Sequence, residues 1–247
     1  MRYSHIFLIG FLLVCETGLS RTLHVPTEYA TIQSAFNELL TNDTVLVDSG
    51  LYVEELSAPG FSFVMMGNVG ADTTGRLRPT IDPSGLSGPT GRGCLILSSG
   101  NVRIRDVNFR NSAPMYPHVQ GDVGGISAGN ANLILTRCRF DSVHYGIISY
   151  PDNGAHTIQL DHCDFAHASG RCVFAQRILA ESCTFHSDTI DWAQLTFGSN
   201  TVINNCSFSG DFWGGFDSSI LTKSSTDFFC AAIFCLFFSK SFSFCCT

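Results

Sequence analysis

Leu133-Ile-Leu-Thr-Arg-Cys-Arg-Phe140 and Ile158-Gln-Leu-Asp-His-Cys-Asp-Phe165 carry one pattern: apolar, x, apolar, x, x, Cys, x, Phe. The ending returns at Cys183-Thr184-Phe185 and Cys206-Ser207-Phe208, and Val107-Asn108-Phe109 is a copy with Val in place of Cys. The marked positions 107, 138, 163, 183 and 206 are separated by steps of 31, 25, 20 and 23 residues. Self-similarity at such a period is the signature of a solenoid. Each half of the pattern alternates with period 2, as a half-buried strand does. In the first copy the apolar members are Val102, Ile104, Val107 and Phe109, so the two halves are out of phase by one residue. A bend must therefore sit between them, at Asp106, Arg137, His162, Ser182 and Asn205, and several of these types favour turn geometry. One coil then holds two short strands meeting at a tight corner, plus a looser third side of variable length. No helical pattern fills the intervals, which excludes βαβ units.

Upstream, Thr31-Ile-Gln-Ser-Ala-Phe-Asn-Glu-Leu-Leu40 places apolar residues at helical spacing, with Thr31 as N-cap and Ser34 one turn on. Thr44-Val-Leu-Val-Asp-Ser-Gly50 reads as a strand and turn, followed by Leu51-Tyr-Val-Glu-Glu55. A helix here would cover the first coil, whose strands would otherwise be an aggregation-prone edge.

These features resemble the right-handed parallel β-helix of the pectate-lyase-like superfamily, over roughly residues 23–217. The phrases Tyr29-Ala-Thr-Ile-Gln-Ser-Ala-Phe36, Asp43-Thr-Val-Leu-Val47 and Gly50-Leu-Tyr-Val-Glu54 are similar to the opening of many β-helix proteins, pectin methylesterases among them. The resemblance implies an all-β, right-handed parallel β-helix solenoid with a short N-terminal capping helix. It does not imply an activity, because that superfamily hosts many chemistries and some members with none.

Residues 1–20 read as a secretory signal peptide: Arg2, an apolar run from Ile6 to Val14, then Gly18-Leu19-Ser20 before the cut. The run is too short to span a bilayer, so no membrane span is expected, and the location is secreted or cell envelope. Residues 21–217 form the solenoid. From 218 to 247 the composition turns to Phe, Ser and Cys and contains both lysines, Lys223 and Lys240. That tail reads as a frameshifted or truncated end, with a hydrophobic plug over the last coil as the alternative. The formal net charge is −7, and the basic residues before 218 are arginines scattered along the chain. Nucleic acid is thereby excluded as a partner, and an acidic polyanion would need a local basic groove or calcium. The repeat cysteines fall in one interior column with parallel Cβ vectors, which suits buried thiols better than disulfides. No Cys-x-x-Cys pair stands in the repeats, so no metal site is expected.

Chemistry is confined to the outward columns. Two positions before the marked residue stand Arg105, Thr136, Asp161, Glu181 and Asn204; one position after it stand Asn108, Arg139, Asp164, Thr184 and Ser207. Asp161 and Glu181 are expected as neighbours on adjacent coils, with Asp164, Arg139 and His162 nearby. Paired carboxylates could bind calcium or act as acid and base on a glycosidic bond; an ordinary solvated face of mixed charge is the competing reading. Leu160-Asp161-His162-Cys163 is similar to the Ile-Asp-His-Cys phrase of pectate lyases, yet no Arg-x-Pro follows it to supply their base. Asp211-Phe212-Trp213-Gly214 is similar to a pectin methylesterase phrase, but the Gln-Asp-Thr and Arg-Pro-Trp elements are absent, as are the polygalacturonase phrases. A third group, His144, Tyr145, Tyr150, His167, His186, Asp188, Trp192, Phe212 and Trp213, follows each Cys-x-Phe and would stack on sugar rings if it lined a groove. The expectation is a carbohydrate-binding or surface protein with no identifiable catalytic set and no cofactor. A polysaccharide lyase or pectinesterase-like enzyme is one alternative, and a purely structural or adhesion repeat is another.

Overall fold

The bend between the halves of each repeat is made by one residue in the left-handed backbone region. Asp106, Arg137, His162, Ser182 and Asn205 have φ of 58°, 52°, 51°, 53° and 51°. Asp, Asn and His visit this region more readily than most L-residues, whereas Arg and Ser must be held there. They are held by the ladder. The corner amides of Asp106, Arg137, His162 and Ser182 donate to the carbonyls of Thr136, Asp161, Glu181 and Asn204 on the following coil. No corner donor in this set is left unpaired.

In the computed structural model, residues 20–70, 77–86, 93–112, 124–149, 156–168, 172–175, 177–187, 196–197, 201–210, 220–222, 225–226 and 244–245 are described. The chain is an all-β parallel solenoid. One long sheet runs from Thr22–Val25 through Thr44–Asp48, Phe63–Asn68, Leu95–Arg105, Gly124–Thr136, Ile158–Asp161, Ile178–Glu181 and Val202–Asn204 to Ile220–Thr222 and Phe244–Cys245. A second sheet stacks the three- and four-residue strands that follow the corner, among them Asn108–Arg110, Arg139–Asp141, Asp164–Ala166 and Thr184–Ser187. Every recorded pairing is parallel, with columns in Cα register such as Ile104, Leu135, Leu160, Ala180 and Ile203.

Phe109, Phe140, Phe165 and Phe185 point inward and stack in a ladder. Ring centroids are 5.1 Å apart for Phe109 and Phe140, 4.6 Å for Phe140 and Phe165, and 5.0 Å for Phe165 and Phe185, with planes within 16°. Beside this ladder runs the thiol column. Cys138, Cys163, Cys183 and Cys206 are free and buried. The amide of Cys163 donates to Sγ of Cys183 at 3.4 Å, and that of Cys183 to Sγ of Cys206 at 3.3 Å. Cys183 and Cys206 therefore serve both as small apolar fillers and as acceptors for the coil before them.

The third side, whose length varies from coil to coil, also carries strands. A second left-handed corner, at Asn111, Ser142 and His167 with φ of 55° in each, turns the chain onto it. Leu56, Leu95, Ile126, Ile147 and Val173 then form another buried, in-register column. Gly125 and Gly146 lie on this side because the phenylalanine ladder occupies their Cβ space. A methyl group on Gly125 would lie 2.8 Å from Cδ1 of Phe140, and one on Gly146 would lie 2.8 Å from Cδ1 of Phe165.

The first coils are closed by helix α1, Ile32–Asn37, which buries Ile32, Ala35 and Phe36. Thr31 and Ser34 form a reciprocal capping box, as expected of a helix start. The Glu54 carboxylate accepts from the amides of Ile32 and Gln33 at 3.0 and 2.9 Å. Gln33 in turn pairs its side-chain amide with both backbone groups of Ser57, at 2.8 and 3.1 Å, and so blunts the end of the third side. At the other end, Ile220–Thr222 and Ser225–Thr226 add rungs to the two sheets. Among the described residues no helix is long and apolar enough to cross a membrane.

Candidate functional site

The inward columns carry packing, so the polar chemistry lies on the outer face beside the two corners. Along the first corner, Arg105, Thr136, Asp161, Glu181 and Asn204 stand in Cα register on successive coils, and Asp161 and Glu181 are direct neighbours. Their carboxylates are already engaged. Asp161 Oδ1 lies 2.6 Å from Nδ1 of His162, whose left-handed backbone turns its ring back toward the preceding residue. Asn204 Nδ2 donates to Glu181 Oε2, and Asn205 Nδ2 to Ser182 Oγ at 3.0 Å. Asp161 and His162 are about half exposed, with side-chain accessibilities of 47% and 62%. A pair so open to water lacks the desolvated setting that gives acid–base groups their catalytic strength.

The short-strand sheet holds a second line. Asn108, Arg139, Asp164, Thr184 and Ser207 form its first outward column. Arg139 lies between two carboxylates, 3.4 Å from Asp141 and 3.6 Å from Asp164. Asp141 Oδ1 is 2.8 Å from Nδ1 of His167 on the next coil. The His167 and His186 rings meet edge to face with centroids 6.0 Å apart, and Nδ1 of His186 lies 2.8 Å from Oγ of Ser209. Asp141, His167, His186 and Ser209 thus run across four successive coils. Burial is the largest influence on Asp141 and works against its charge. The hydrogen bond with His167, the charge of Arg139 and the Ser142 hydroxyl outweigh it and hold the carboxyl below its usual range.

The sequence-derived candidates therefore divide. Arg139, Asp164, His167 and His186 share the second line, while Asp161, His162 and Glu181 share the first corner. His144 and Tyr145 pack against each other, with centroids 4.4 Å apart at 61°. Tyr150, Asp188, Trp192, Phe212 and Trp213 lie outside the described residues. Asp141 and Ser209 were not singled out in the sequence. Their signal was positional: both stand three residues after a marked cysteine, as His186 does. Among the described residues no three His, Cys, Asp or Glu side chains converge as metal ligands.

No family model and no curated protein matches the chain.

Proposed function

We propose that this chain is a glycan-binding β-helix, and that the line Asp141, His167, His186 and Ser209, flanked by Arg139 and Asp164, is its binding face. The observation that carries this reading is the continuity of the line over four coils, each step about 4.8 Å. A linear polysaccharide presents hydroxyl groups at regular intervals along its length. A row of carboxylate, imidazole and hydroxyl groups offers matching donors and acceptors, and the ring edges offer apolar contact. Asp141 contributes as a fixed anion, which accepts hydrogen bonds from sugar hydroxyls more strongly than a neutral group does.

Binding without turnover is favoured because the carboxylates on both lines are partnered and stand on an open surface. Export, a right-handed coil and membership of the pectate-lyase-like superfamily belong to the same proposal. They are supported by the capped first coil and by the apolar run before Ser20.

The test is a panel of neutral and esterified polysaccharides probed by affinity electrophoresis, with release of unsaturated ends and methanol followed in parallel. Retardation by at least one glycan, lost in Asp141→Ala/His167→Ala, is the expected result. No retardation by any glycan overturns the reading. Turnover abolished by Asp161→Ala would replace it with an enzymatic one.

A further inference from the structure

Arginines that are scattered in the sequence meet at one point in the fold. Asp106, at the first corner, is 2% exposed, and its carboxylate is approached by three guanidinium groups. Arg137, one coil on, donates from Nε to Oδ1 at 2.8 Å and from Nη2 to Oδ2 at 2.6 Å. Arg105 Nε lies 3.3 Å from Oδ2, and Arg78 Nε lies 3.8 Å from Oδ1. Three permanent positive charges surround one negative charge, in a chain whose net charge is −7.

A single guanidinium would neutralise Asp106. The other two leave a positive excess, which the Asp161 carboxylate acting on Arg137 reduces but does not cancel. Each guanidinium has five N–H donors. The contacts with Asp106 occupy Nε and Nη2 of Arg137 and Nε alone of Arg105 and Arg78. Arg105 and Arg137 remain about half exposed, at 49% and 46% of their side-chain surface. The buried carboxylate thus anchors the arginines from beneath, with Arg105 and Arg137 presented to solvent and Arg78 largely covered. Gly67 completes the pedestal, because a Cβ there would collide with the carbonyl oxygen of Asp106.

We propose that this corner is an oxyanion-binding site that takes the sulfate ester groups of a polyanionic glycan. A sulfate ester presents three acceptor oxygens, which the half-exposed Arg105 and Arg137 can meet with their remaining N–H donors, and arginine pairs with such oxyanions through two parallel hydrogen bonds. The site lies on the first corner, apart from the Asp141 to Ser209 line, and goes beyond the function proposed for that line.

Dextran sulfate and unsulfated dextran, which share a backbone, distinguish the two ideas when titrated against the full chain. The expected result is salt-sensitive binding of dextran sulfate, with Arg105→Gln weakening it about tenfold. Arg105→Lys should fall in between, because it keeps the charge and loses the fork. Arg21→Gln, remote in the first coil and paired with Asp43, should leave binding unchanged. Asp141→Ala/His167→Ala should also leave it unchanged, so failure of the other reading is separately visible. Unaltered affinity in Arg105→Gln overturns the proposal, as does equal affinity for unsulfated dextran. Equal affinity for polygalacturonate or for single-stranded DNA overturns the assignment to sulfate esters.

Discussion

Phe140 and Phe165 stack with their ring centroids 4.6 Å apart and their planes within 2° of parallel. Both are fully buried, and each also touches a further ring on its other side. Phe140→Ala removes a member from the middle of this ladder and leaves a void between neighbours held in place by the sheet. A loss of about 3–5 kcal/mol in urea unfolding is expected. Phe140→Leu should cost less than half of that, because it restores most of the volume.

Gly146→Ala is expected to be clearly destabilising, although it adds only one methyl group. Its Cβ would overlap the carbonyl oxygen of Cys172 and press on the Phe165 ring. Neither neighbour is a flexible side-chain end, so the coil must shift. Overpacking of this kind costs about 1–3 kcal/mol or more, readable as a lowered Tm. A variant as stable as the parent would show that the third side is less tightly packed than described.

The Cys183 and Cys172 thiols should be chemically silent in the native protein. The Cys183 thiol is pushed up to about 12, first by its hydrogen bond with Cys163 and then by burial. Burial alone pushes Cys172 up to about 12. Thiolate is the reactive form, so alkylation at mildly alkaline pH should leave both unlabelled until denaturant is added. Peptide mapping by mass spectrometry separates them from the cysteines of the tail. Cys138→Val should be tolerated, because Val107 holds the same position one coil earlier.

Acid should destabilise the N-terminal coils through Asp43 and Asp82. In both, burial is the largest single influence and opposes ionisation. Donors outweigh it: Arg21 and the Leu40 amide for Asp43, and Ser84, Arg110 and Asn111 for Asp82. Both folded-state values therefore lie below the unfolded value of about 3.9. The stability they contribute is fully present above that value and is lost as pH falls through it toward the folded-state values. Tm should be level near neutrality and fall below about pH 4. Asp82→Asn should flatten that fall, and superimposable slopes for variant and parent would refute the assignment.

The left-handed corners predict a ranking at His162. Asn at φ of 51° is comfortable and a β-branched residue is not, so His162→Val should cost about 1–2 kcal/mol more than His162→Asn. Equal denaturation midpoints for the two variants would show that the corner relaxes.

The first corner was legible in the sequence because alternation slips there by one residue, between Ile104 and Val107 in the first copy. The second corner was not. Asn111, Ser142 and His167 follow strands of three residues, too short for a second change of phase to register. The third side was obscured for a different reason. Gly125 and Gly146 stand where apolar alternation would have announced a strand, because the phenylalanine rings already fill that space. The neighbouring of Asp161 and Glu181 followed directly from the repeat spacing. The gathering of Arg78, Arg105 and Arg137 did not, since Arg78 precedes the repeats and Arg137 occupies a bend rather than an outward column. Which polar side chains grip one another across coils depends on rotamers and corner geometry that a periodic pattern does not encode.

The register joining Asp164 to Thr184 and Phe165 to Phe185 makes the protein a ruler whose graduation is one coil. A duplicate of residues 163–182 inserted after position 182 would bring its own corner, its own ring and its own thiol. The outer face would lengthen by about 4.8 Å with no other part redesigned. Length along the axis is thus a property this chain can change by copying rather than by invention.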